Sequence, residues 1–147
     1  MNIADGFQLE QPDTFIPWGI DEERLKELIT HGLRHVTEGY YTISGKSLGG
    51  LEHMLGFHFT PRKCGQLLEL EFFRSEYSSW DESFRDFQNR FEAKFGKPTS
   101  VEPGSEKWPS NTWELPGATI THCIFDRFGL EEHMTIQARY PTTAIGR

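Results

Sequence analysis

Six histidines, two cysteines and several paired carboxylates are the residues of this chain whose types could do chemistry, and spacing decides what each is fit for. A zinc site needs ligands that converge, as in a His-Glu-x-x-His helix, and no pair here has that spacing. His53 and His58 are five apart, which places them on opposite faces of one strand; His31 and His35 are four apart, but Gly32 falls between them near an expected helix end. His122 shares the inward parity of Ile120 and Ile124. No metal site and no cofactor are expected. No Gly-x-Ser-x-Gly elbow sets a serine beside a base. Gly45-Lys46-Ser47 resembles the tail of a phosphate-binding loop, yet the residue five before Gly45 is Tyr40, not glycine, and its flanks suit a hairpin. Glu69 with Glu71, and Glu131 with Glu132, read as strand carboxylates facing solvent. Cys64 in a turn and Cys123 in an apolar strand read as free thiols. An enzyme built on His58 or His122 with nearby carboxylates ranks last, and the chain is expected not to be one.

These residues must be positioned by elements that occur twice. With 147 residues the chain has the size of one domain, expected to span 1–147 with an N-terminal arm over 1–19 and repeat-like halves over about 20–75 and 79–141. Asp21, Glu22 and Glu23 lead into Leu25, Leu28 and Ile29; Asp81 and Glu82 lead into Phe84, Phe87 and Phe91. Leu25 and Leu28 match Phe84 and Phe87 at one offset, while Leu68, Leu70 and Phe72 match Met134, Ile136 and Ala138 at an offset seven residues larger. The first helix is predicted from residue 20 or 21 to about His31. The second starts on the capping box Ser79 to Glu82, carries Phe84, Phe87, Phe91 and Phe95 at helical spacing, and stops at Gly96 and Pro98. Strands are predicted at about 40–43, 51–59, 67–73, 112–115, 118–125 and 133–139. Residues 7–18 contain two prolines and no period, so they read as an arm lying on the domain. The fold class is α+β: two layers, tandem α-β-β-β units forming one antiparallel sheet with both helices on one face.

Alternation then sorts the strand faces. Leu55, Phe57, Phe59, Leu68, Leu70, Phe72, Ile120, Ile124, Met134 and Ile136 form the inward set; Met54, His58, Glu69, Glu71, Thr119, Thr121, Thr135, Gln137 and Arg139 form the other. With both helices on one side, that polar face has no element left to cover it. Trp113, leading a strand, reads as packing; Trp108, in a polar loop, and Tyr41 read as anchors for a partner. A formal net charge of -7 argues against nucleic acid and anionic membranes and favours basic partners. The start of the chain lacks a basic n-region and an apolar h-region, and no segment reaches the ~20 apolar residues of a membrane span, so a cytoplasmic protein without a membrane partner is expected.

Phe15-Ile16-Pro17-Trp18-Gly19 before an acidic helix, Phe95-Gly96-Lys97-Pro98 closing an aromatic one, and Trp113 before a final pair of strands resemble small cytosolic bacterial α/β proteins that include immunity proteins of polymorphic toxin systems. The doubled layout is also similar to the β-lactamase inhibitor proteins, which bind an enzyme with the open face of their sheet. The resemblance implies a protein that neutralises a cognate antibacterial toxin domain by occluding its active site, with no catalytic residues of its own. Charge adds that the toxin presents a basic cleft. The expected partner-binding residues are Glu69, Glu71, Trp108, Tyr41, His58, Glu131 and Glu132. The alternative is a non-catalytic ligand-binding or assembly adaptor module.

Overall fold

The structure is a computed structural model that describes residues 2–59, 65–73, 77, 79–104, 107–126 and 128–139. Cys64, and the ends of both predicted halves at 74–75 and 140–141, lie outside the described residues. In chain order the elements are β1 (Gly6–Glu10), β2 (Asp13–Pro17), α1 (Glu22–Leu28), β3 (Arg34–Thr37), β4 (Tyr40–Ser47), β5 (Leu51–His58), β6 (Glu69–Phe73), α2 (Trp80–Phe95), β7 (Ser100–Glu102), β8 (Ser110–Leu115), β9 (Ala118–Asp126) and β10 (Leu130–Ala138). Strands β3 to β10 make one antiparallel sheet in the order β3-β4-β5-β6-β10-β9-β8-β7. The chain is therefore α+β.

Helix α2 forms as its residues dictate. The Ser79 hydroxyl accepts from the Glu82 N–H at 3.1 Å, satisfying a donor that the first turn leaves without a partner. At the other end Gly96, at φ +86°, turns the chain while its N–H donates to Glu92. Phe84, Phe87 and Phe91 face the sheet, and the Phe91 ring lies 5.7 Å from Phe72 and 5.6 Å from Trp113. Full burial of such a ring stabilises the fold by about 1.5–3 kcal/mol. The Trp113 indole N–H donates to the Gly96 carbonyl at 2.8 Å, tying the helix stop to β8.

Four expectations are corrected by the coordinates. Residues 7–18 are not a periodless arm: β1 and β2 pair as a hairpin whose Phe7, Leu9 and Ile16 have no exposed surface, and Phe7 meets Phe72 edge-on at 5.5 Å. Two short strands separated by Pro12 are too brief for alternation to stand out. Four strands rather than three follow each helix, because β3 and β7 join at the edges; every residue of both is exposed, so neither carries an apolar signal. Helix α1 ends at Leu28, with Ile29 already extended, so His31 lies beyond it. Finally Leu67 is buried and Leu68 only partly so, since the residues before β6 are not strand: Leu67 exchanges backbone hydrogen bonds with Gly19 and Ile20.

Candidate functional site

The sheet has two faces of opposite character. The inner one presents Tyr41, Ile43, Leu55, Phe57, Leu70, Phe72, Ile120, Met134 and Ile136, all in the buried core. Within it sits a polar chain. Glu132, two residues from Met134 on β10, reaches His122 across the β9–β10 pairing, with Oε2 2.6 Å from Nε2, and both side chains are almost fully enclosed. The Ser83 hydroxyl donates to the other Glu132 oxygen, and Gln88 Oε1 lies 2.8 Å from His122 Nδ1. The Gln88 amide nitrogen donates onward to Glu92, which fixes the amide's orientation. Phe84 stacks on the imidazole at 4.2 Å between ring centroids. Burial lowers the His122 pKa, against the pull of the Glu132 carboxylate, which favours the charged ring. This chain of contacts binds α2 to β9 and β10.

A second enclosed pair joins Ser47 and His53, whose Oγ and Nε2 are in hydrogen-bond contact across the β4–β5 turn. His53 Nδ1 faces the Met54 carbonyl at 3.2 Å, so the ring takes the neutral tautomer protonated on Nδ1, and burial lowers its pKa in agreement. Spacing along the sequence did not single this pair out, because six residues and a turn separate its members. A serine beside an imidazole has the makings of a nucleophile and base. Ser47, however, has no exposed surface through which an acyl donor could approach.

The outer face gathers four of the expected site residues. Glu69 and Glu71 point outward from β6, His58 from β5 and Glu131 from β10. His58 Nε2 lies 2.9 Å from Glu71 Oε1, and the imidazole rests against the Tyr40 ring at 4.6 Å. Gly56 makes this possible: a Cβ there would come within 2.9 Å of the Tyr40 ring and 3.2 Å of Phe73, so both rings lie over bare backbone. Burial, then the nearby Glu71 charge, push the Tyr40 hydroxyl up and keep it neutral. Gln137 donates to Glu69 at 3.4 Å. Beyond Glu71 the face dips into an open groove of about 400 Å3, lined among others by Glu71, Phe73, Trp80, Phe125, Glu131 and His133. The face is not uniformly open, since Thr135 and Thr42 on it are 3% and 6% exposed.

The remaining three expected residues do not point outward, although Glu132 also borders the groove. Glu132 follows Glu131 on one strand and must point the opposite way, into the buried chain above. Tyr41 pairs with Phe57 and turns inward, its hydroxyl donating to Glu22 at 2.7 Å. Trp108, read as an exposed anchor, is 7% exposed: it packs with Phe84 and Ile124 and donates its indole N–H to Asp81 at 3.0 Å. Lys107 completes that corner, and its ammonium holds the Asp81 carboxyl below the usual carboxylate range.

Phe73, Trp80, Phe125 and His133 were not anticipated at the site. Phe73 is two residues beyond Glu71, so parity alone could have found it; Phe125 required the register that sets it opposite Glu131. The aromatic walls and carboxylates of the groove form a surface suited to a cationic side chain, through ion pairing and cation–π contact. Among the described residues no group of three or more His, Cys, Asp or Glu could hold a metal ion, and no helix is long and apolar enough to cross a membrane. No family model, no curated protein and no solved structure matches the chain.

Proposed function

We propose that this chain is a non-catalytic binding protein of the immunity class, which uses the outer face of its sheet to occlude the basic active-site cleft of a cognate antibacterial toxin. The observation that carries the reading is the groove in which Glu71 and Glu131 stand among Phe73, Phe125 and Trp80, the first residue of α2. Carboxylates at that position imitate the phosphates such a cleft would take, and the net charge of -7 steers a basic partner towards the chain. His58 holds Glu71 from the side and leaves the second Glu71 oxygen for a partner's guanidinium or ammonium. Action inside the producing cell is part of the same reading.

The test is capture by the tagged chain, from its native cell, of a protein retained through a salt wash, repeated with the Glu71→Lys/Glu131→Lys variant. The expected result is one near-stoichiometric partner with a basic domain, lost by the variant, whose expression arrests growth unless this chain is co-expressed. A partner held equally well by the charge-reversed chain overturns the proposed surface. A partner whose expression is harmless overturns immunity and favours an assembly adaptor. The alternative of a ligand-binding module draws on a different observation, a second concavity at the edge of β4.

A further inference from the structure

Two segments approach the outer edge of β4 from opposite ends, and both turn away before they meet. From one side β3 pairs Arg34 with Thr42, and the chain then leaves the edge at Gly32, where φ is +88°. From the other, Gln11 forms an isolated bridge with Lys46, exchanging hydrogen bonds of 3.2 and 3.0 Å. Gly45 lets the hairpin come this close, since a Cβ there would overlap the Gln11 carbonyl oxygen. In an antiparallel strand alternate residues turn their N–H and C=O to the same edge. Thr42 and Lys46 use theirs on β3 and Gln11, so those of Ser44, between them, face the gap.

That gap is a groove of about 490 Å3, lined by Ser44, Lys46, Glu52, Gln11, Gly32 and His53 among others. The volume falls within the ~300–1,000 Å3 range of small-molecule sites. Lys46 and Glu52 are cross-strand partners of opposite charge, yet no ion pair joins them among the described residues. An edge donor and acceptor beside two uncommitted opposite charges match one chemistry: a zwitterion that also carries a peptide group.

We propose that the β4 edge groove binds a dipeptide, with its ammonium towards Glu52, its carboxylate towards Lys46 and its peptide group bonded to the Ser44 backbone. This groove shares no lining residue with the one on the outer face, so the two proposals stand or fall separately. The test is titration of the full chain with glycyl-leucine while the backbone amide resonances are followed by NMR. The expected result is a saturable shift at Ser44, Gly45 and Lys46. It should weaken about fivefold in Lys46→Gln and in Glu52→Gln, the loss of one partly exposed ion pair. It should weaken at least as much for the same peptide with both termini blocked. Both substitutions are at solvent-facing positions, and an unchanged amide spectrum before titration shows that the fold is retained. Absence of a saturable shift at these amides, equal affinity for the blocked peptide, or variants that bind like the parent each overturn the proposal.

Discussion

His122 with Glu132 and His58 with Glu71 are the same pair built twice. Each joins neighbouring strands on a diagonal, β9 to β10 in one case and β5 to β6 in the other, and their separations are 2.6 and 2.9 Å. They differ in cover. Helix α2 encloses the first, whose side chains are 0% and 2% exposed, while the second stands on the outer face at 24% and 25%. The difference shows how position decides what one interaction contributes to folding. The enclosed pair has lost its water and depends on every partner, Ser83 and Gln88 included. The outer pair keeps its water and contributes little to folding.

The largest expected effect comes from breaking the enclosed pair. Glu132→Ala should lower the unfolding free energy by about 3–5 kcal/mol in a urea titration, because it strands His122 and Ser83 among aromatic rings. Replacing both members, as His122→Leu with Glu132→Met, should recover much of that loss. If the single variant loses less than about 1 kcal/mol, the distinction between the two pairs collapses. A smaller effect belongs to His53, which sharpens the comparison by adding a buried imidazole without a carboxylate partner. Burial lowers its folded pKa, so the unfolded chain takes up a proton first as pH falls below about 6.5. The stability present above that pH is lost as pH drops from the unfolded towards the folded pKa. His53→Gln should give a shallower decline between about pH 7 and pH 5 than the parent chain shows. An identical decline in both would remove His53 from the account. The smallest effect on folding is expected at Glu71: Glu71→Gln should change stability by less than about 1 kcal/mol in the same titration. A larger loss would make the outer pair structural and weaken its candidacy as a binding surface.

Where local chemistry decides structure, the sequence was legible. Ser79, Glu82, the phenylalanine row and Gly96 define α2 because each acts within a turn or two of the chain. Alternation placed Glu69, Glu71 and His58 on the outer face for the same reason. It also implied that Glu131 and Glu132 could not share a face, a constraint the charge-based grouping of the two overlooked. The short exposed strands β3 and β7 carry no period to read, and the hairpin of β1 and β2 is buried only because the rest of the chain folds beneath it. The aromatic walls of the groove required the pairing of Glu131 with Phe125 and of β6 with β10, which no local rule supplies.

That last pairing also governs the order in which the molecule can be made. The two central strands meet through Thr135 with Glu71, Ile136 with Leu70 and Gln137 with Glu69, a seam whose members are more than sixty residues apart in the chain. Closing so long a loop is entropically costly until the strands on either side are in place, so the hairpins gain their contacts first and the seam closes late. During synthesis at ~5–20 residues per second, β6 therefore waits several seconds with one side unpaired before its neighbour leaves the ribosome. The acidic residues that flank Leu70 in β6 put charge on that waiting edge, which disfavours its pairing with other chains until its own neighbour arrives.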